Sequence, residues 1–291
     1  GRALLRLLSR RGWDVWPTFL RHKGDLGANA RPLDVRYRQE VRRGLKEAAP
    51  QVIFHLAYDM QDLEGTVVEG SRNLLEEWGN LREPGLFLHM STDMVFDGEN
   101  GPYSEGDLPR PLTPYGLAKL EAETLALKAG ARVIRISLVY GFNPLDPRTA
   151  SLQKGLREGR FDYPYFEDEV RCPIFLQDLC LALVEMAAMA GPLPQILHLA
   201  GPVAMSRYSL ACHLAQALGW DPVLVPRARL AGSGLVRPRD LRLDSSAARG
   251  LLSWSPRSVE EVLRGHHLLK PGLSAVVDGP ELSGQGGENT R

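Results

Sequence analysis

Apolar residues recur along this chain in two periods, and the alternation between them predicts its elements. Ala3, Leu4, Leu7 and Leu8 form a helical stripe over 2–11, which Gly12 closes. Residues 13–20 read as a strand, with Pro17 marking it as near an edge. A helix over 36–48 follows. After Pro50 the run QVIFHLA, 51–57, has the continuous apolar character of a buried strand. A helix over 65–78, a buried strand LFLHM at 86–90 and a helix over 114–128 come next. Thr113 is a good N-cap for that last helix, and Pro114 suits its first position. ARVIRISL at 131–138 is another parallel-type strand. A helix over 176–190, a strand over 195–200 and a helix over 206–218 capped by Ser206 complete the list. Strands alternating with helices predict an α/β fold, a Rossmann-type doubly wound parallel sheet.

The rhythm breaks at Asn143. Pro144, Pro147, Pro164 and the acidic cluster Glu167-Asp168-Glu169 interrupt it. The expected organisation is therefore a sheet domain from 1–142 and 176–200. A small discontinuous C-terminal lobe would be built from 143–175 and 201–265. Residues 266–291 are rich in Gly, Pro, Ser and Glu without a period, and are expected to be a disordered tail.

Composition narrows the partners. The 291 residues carry 35 Lys+Arg against 35 Asp+Glu, so bulk charge draws the chain neither to nucleic acid nor to a membrane surface. Cys172, Cys180 and Cys212 have no metal-type spacing and do not make a disulfide framework, so no metal site is expected and a reducing cytoplasm fits. No run of 18 apolar residues predicts a membrane span, and the first residues lack the layout of a signal peptide.

The candidate chemistry lies in 91–123. Ser91, Thr92 and Asp93 fall where the strand at 86–90 ends. Tyr115 and Lys119 are four apart on the helix after Pro114 and share a face. Of the eight tyrosines only Tyr115 has Lys at that spacing. A phenol can give a proton to a carbonyl oxygen that is receiving a hydride, and a neighbouring ammonium would lower its pKa from near 10. Alone, the pair reads equally as a core-packed ring beside a snorkelling lysine.

The surrounding residues extend the pattern: Ser91-Thr92-Asp93, Val95-Phe96-Asp97-Gly98, Pro102-Tyr103-x-Glu105, Pro109 to Leu112, and Tyr115-Gly116-x-x-Lys119-x-x-x-Glu123. This run resembles the extended short-chain dehydrogenase/reductases, and within them the dTDP-4-dehydrorhamnose reductases and their relatives. The likeness covers roughly 1–265. It implies an oxidoreductase using NAD(P)H to reduce a keto group on a nucleotide-linked deoxysugar. In that reading Tyr115 is the general acid, Lys119 lowers its pKa and holds the nicotinamide ribose, and Thr92 bonds the carbonyl oxygen. Asp93 would lie on the substrate side.

The same resemblance assigns cofactor positions. Gly1 matches the last glycine of a dinucleotide turn, so the earlier glycines and first strand are expected to be missing; a helix that simply starts the fold is the alternative. Leu56 and Ala57 would line the nicotinamide through backbone atoms. Arg21 and Lys23, with no acid from Trp16 to Lys23, favour NADP(H) over NAD(H), a solvated basic turn being the alternative. Asp34 is placed near the adenine, or caps a helix. Arg237 and Arg239 would face a substrate diphosphate, or water. Leu138 and Met94 stand where the rhamnose-type reductases carry aromatics, and Val67 where an Asn is usual, which leaves the sugar open. His198 reads as a core histidine. Epimerases and dehydratases share the fold, and the regulatory subunit of methionine adenosyltransferase resembles the family too, so a non-catalytic role competes. The nucleotide sugar is the expected partner, and a homodimer stays open.

Overall fold

In the computed structural model residues 1–143 and 145–267 are described. Leu4 and Leu8 form the buried stripe of α1 (Arg2–Arg10), and Gly12 at φ +77 turns the chain after it. β1 (Thr18–Phe19) pairs in parallel with β2 (Arg31–Pro32). The strand expected over 13–20 is thus confined to its last third. Pro17 has no N–H to give a ladder, and its carbonyl accepts from Arg31 N at 3.0 Å where the pair begins. α2 (Arg38–Ala48) leads to β3 (Val52–His55). The helix expected over 65–78 is a π-helical segment, Glu64–Glu69, running into α3 (Gly70–Gly79).

β4 (Leu86–Thr92), α4 (Pro114–Lys128) and β5 (Arg132–Ile136) follow the sequence reading closely. β6 (Val139–Tyr140), α5 (Pro147–Glu158), β7 (Tyr165–Phe166), β8 (Val170–Arg171) and β9 (Ile174–Phe175) are the short elements after the break in rhythm. Then come α6 (Leu176–Ala188), β10 (Ile196–Leu199), β11 (Met205–Ser206), α7 (Arg207–Ala217), β12 (Arg227–Ala228), α8 (Ser246–Leu251) and α9 (Val259–His267). The tail expected to be disordered lies, beyond His267, outside the described residues. No described helix is long and apolar enough to cross a membrane.

β10, β5, β4 and β3 form, in that order, a parallel sheet, and β1–β2 are a separate parallel pair. Alternate residues of the central strands serve opposite faces. Leu88 and Met90 of β4 and Ile134 of β5 pack on Leu4 and Leu8 of α1 and on Leu179 and Leu183 of α6. Phe87 and Val133 pack the other way, on Val41 of α2, Leu74 and Trp78 of α3 and Ala126 of α4. Helices on both faces make the sheet doubly wound, as the unbroken apolar strands require. A second core joins Leu138, Tyr140, Leu152, Phe175, Leu210 and Leu263, beyond the carboxyl end of β5.

Polar residues interrupt the packing under α4. His55 and His89 are register partners on β3 and β4, with ring centroids 5.3 Å apart. His55 Nε2 meets Ser71 Oγ at 3.0 Å, whereas neither ring nitrogen of His89 has a partner among the described residues. Burial, with Lys119 adding to it, pulls His55 down to about 3. Burial likewise holds His89 well below the ordinary histidine value. The unfolded chain takes up protons near pH 6.5 that the folded chain refuses. Stability is therefore complete above that pH and falls as pH drops below it. The melting temperature should decline steadily from pH 7 to pH 4.5, and less steeply in a His89→Leu variant. An equal slope in parent and variant would remove His89 from the account.

Candidate active site

One end of the sheet gathers the loops that matter. Arg21, two residues past β1, reaches Asp59 beyond β3 at 3.5 Å, so the carboxyl ends of those strands lie side by side. Arg2 and Arg6 of α1 pair with Asp25 in the loop after β1, at 3.3 and 2.8 Å. The start of α1, with Gly1 exposed at its N-cap, therefore faces the same end. Leu56 is half-buried and Ala57 exposed just past β3, also at this end. Ligands of open α/β sheets bind there, outside the carboxyl ends of the strands.

Thr92 closes β4 in an extended conformation, and its hydroxyl accepts from Met94 N at 3.2 Å. Thr113 caps α4 through its side chain, which accepts from Gly116 N at 3.1 Å. A Cβ at Gly116 would sit 2.3 Å from the Met94 carbonyl oxygen. Only glycine lets α4 begin this close to the turn after β4. That approach brings the Tyr115 phenol close enough to Thr92 for the threonine side chain to favour its ionised form. The Tyr58 ring stands 6.2 Å from the Tyr115 ring on the open side.

Burial pushes the Tyr115 phenol up to about 12, with Tyr58 and Asp93 adding to the shift and Arg148 and the Thr92 side chain opposing it. The phenol is thus protonated at neutral pH. Lys119, one turn along, is buried and donates to the Met90 carbonyl oxygen at 2.9 Å. Burial pulls its ammonium down to about 8, against the pull of Glu123. The expected lowering of the phenol by Lys119 is not what this geometry gives: the ammonium is directed to the β4 backbone, and desolvation governs the tyrosine.

Other expected residues are placed differently from the sequence reading. Asp93 is buried; its Oδ2 accepts from Ser137 Oγ at 2.8 Å and its Oδ1 from Arg171 at 2.8 Å. It braces the site from behind and does not present its carboxylate to a substrate. Asp34 gives both carboxylate oxygens to the Arg36 guanidinium, at 2.7 to 3.2 Å, and caps Arg36 N at 3.1 Å. It stabilises the turn before α2 and is not open to an adenine. Arg237 binds Glu169 at 3.2 Å and lies over the Phe166 ring, with about a third of its side chain exposed (36%). Arg239 is exposed. Leu138 is buried in the second core, and Met94 Sδ receives Arg171 at 3.1 Å. His198 is a core histidine as expected, its Nδ1 3.1 Å from the Tyr103 carbonyl oxygen.

Two buried ion networks escaped the sequence reading. Glu123 on α4 clasps Arg135 of β5 at 2.7 and 3.0 Å and accepts from Ser91 of β4. Arg171 bridges Asp93 and Glu169, at 2.8 and 3.0 Å. The available signal was a charge inside a buried-type strand: Arg135 in ARVIRISL, and Arg171 just before Cys172-Pro173-Ile174-Phe175.

A doubly wound parallel sheet with Thr92, Tyr115 and Lys119 at one strand end defines the fold class of the extended short-chain dehydrogenase/reductases. Within it, the chain belongs to the RmlD substrate binding domain family, which residues 1–266 match. A crystal structure described as a hypothetical dTDP-4-dehydrorhamnose reductase from Sulfolobus tokodaii is 28% identical, with a TM-score of 0.71 over 87% of this chain and 91% of that one. The dTDP-4-dehydrorhamnose reductase of Bacillus anthracis in complex with NADP shares the fold at 19% identity, with a TM-score of 0.76 over 92% and 94% of the two chains. The beta subunit of methionine adenosyltransferase 2 from Danio rerio is 29% identical over 260 residues, 84% of this chain and 80% of the relative.

Proposed function

We propose that the protein reduces a keto group on a nucleotide-linked deoxysugar, using a reduced nicotinamide dinucleotide. The observation that carries this reading is the approach of the Tyr115 phenol to Thr92 at the strand end, with a phenol that stays protonated at neutral pH. The residues at this end fit such a cofactor: α1 begins with no side-chain cap over its first amides, which leaves them open to a pyrophosphate, and Ala57 is exposed past β3. Lys119 uses one proton on Met90 and keeps two for ribose hydroxyls. The dinucleotide would supply the hydride. Tyr115 then gives its proton to the carbonyl oxygen as negative charge develops there, and Thr92 steadies that oxygen with a second hydrogen bond. Arg237 and Arg239 take the substrate diphosphate.

NADPH should bind more tightly than NADH. Arg21 is mostly exposed (66% of its side chain), and its contact with Asp59 is a long one, 3.5 Å. It is free to turn to a 2′-phosphate, with Lys23 nearby in sequence. Fluorescence titration of both cofactors checks this; equal or reversed dissociation constants contradict it, and Arg21→Ala should narrow the gap.

A second reading has its own support. The likeness to the zebrafish beta subunit extends over four-fifths of that protein's length. On that reading the chain is a subunit of a methionine adenosyltransferase and the Thr92–Tyr115 pair is retained for binding. Co-purification with a methionine adenosyltransferase catalytic chain at a fixed ratio, without turnover of any keto sugar nucleotide, would favour it.

A further inference from the structure

We propose that Arg171 is a positioning residue for this reduction: it holds the Asp93 carboxylate so that the single hydroxyl proton of Thr92 remains available to the carbonyl oxygen. The inference rests on the reductase reading and adds a residue to it.

Thr92 has one proton to give. Its oxygen already accepts from Met94 N at 3.2 Å. Its hydroxyl donates to Asp93 Oδ1 at 3.3 Å, a long and weak bond for two oxygens. That same oxygen receives Arg171 at 2.8 Å, while Ser137 occupies Oδ2 at 2.8 Å. A charge-assisted bond from a guanidinium is the stronger claim on a carboxylate. The ion pair thus satisfies Asp93 and leaves Thr92 only loosely engaged.

Arg171 is itself fixed from the far side. It is buried, donates to Glu169 at 3.0 Å and to Met94 Sδ at 3.1 Å. Glu169, fully buried, is in turn approached by Arg207 at 3.5 Å and Arg237 at 3.2 Å. The brace therefore runs from β8 to the residue beside Thr92. Without Arg171, Asp93 would be a buried carboxylate with Ser137 and Thr92 as its remaining side-chain donors. It would draw the Thr92 hydroxyl into a shorter and stronger bond. It would also set an uncompensated negative charge beside Tyr115, whose phenol it already disfavours from ionising. Both changes strike the two groups that polarise the carbonyl.

The test compares the wild type, Arg171→Met, Arg171→Lys and the double variant Asp93→Asn/Arg171→Met. Each is assayed with NADPH and the 4-keto sugar nucleotide that the wild type turns over best, with rates expressed per folded molecule. Arg171→Met should lose about 10- to 100-fold in kcat, somewhat less than deleting an oxyanion donor outright. KM for the sugar nucleotide should stay within about threefold. Arg171→Lys should recover most of the loss. The double variant should exceed Arg171→Met, because a neutral amide can donate N–H to the Thr92 oxygen and leaves no stranded charge. Wild-type kcat per folded molecule in Arg171→Met, with only the folded yield reduced, overturns the proposal and leaves the reductase reading standing. A double variant no better than the single one also overturns it. A wild type that turns over no keto sugar nucleotide removes the reductase reading, and this proposal with it.

Discussion

Tyr115→Phe should fold like the parent and lose about 10²- to 10⁴-fold in turnover, the usual contribution of a general acid. The ring is partly buried and packs beside Tyr58, contacts that phenylalanine keeps. What disappears is the proton that meets the carbonyl oxygen. Because burial holds the phenol at about 12, the parent should show no loss of activity from tyrosine ionisation up to pH 9. Any basic limb near pH 8 belongs to Lys119, whose ammonium is pulled down to about that value. The split is readable: Lys119→Met should remove the basic limb and weaken cofactor binding, while Tyr115→Phe should spare the cofactor dissociation constant. Turnover within about threefold of the parent in Tyr115→Phe would falsify the assignment of the acid.

Glu123→Ala should cost about 3–5 kcal/mol of stability, the penalty typical of breaking a buried ion pair from one side. Glu123 and Arg135 are 1% and 2% exposed, and Arg135 has no route to water once the carboxylate is gone. Its remaining neighbours are the Phe96 ring, 5.1 Å away, and His198 Nε2 at 3.4 Å, and neither balances a full charge. The same mutation strands the Ser91 hydroxyl. The double variant Glu123→Ala/Arg135→Met should regain much of the loss, since an apolar pair removes the buried charge instead of exposing it to an apolar core. Urea unfolding of the parent, the single and the double variants measures this. A single variant within about 1 kcal/mol of the parent, the size of an exposed pair, would show that Arg135 finds other compensation.

The regular elements and the placing of Tyr115 and Lys119 on one helix face were readable because they depend on neighbours in sequence. Thr113-Pro114 states where α4 begins, and Tyr115 and Lys119 share its inner face by spacing alone. The paired strands at 86–92 and 132–136 were readable because both their faces are apolar. What lay beyond the sequence is set by distance in the chain. Nothing near Asp93 announces that Arg171, 78 residues on, will claim its carboxylate. The depth at which α4 lies against β4 decides that Lys119 meets the Met90 carbonyl, and no local pattern encodes that depth. Asp34 failed for a nearer reason: Arg36 stands two residues on and binds both its oxygens, a local pair that outcompetes a ligand contact. The short length of β1 follows from which residues find a partner strand, and only Thr18 and Phe19 do.

The most direct measurement of the central claim follows the absorbance of NADPH mixed with the purified protein and a panel of 4-keto nucleotide sugars. Oxidation of NADPH in a one-to-one ratio with sugar reduced, abolished by Tyr115→Phe, is the predicted result. No oxidation with any member of the panel, by protein that binds the cofactor, would contradict the account.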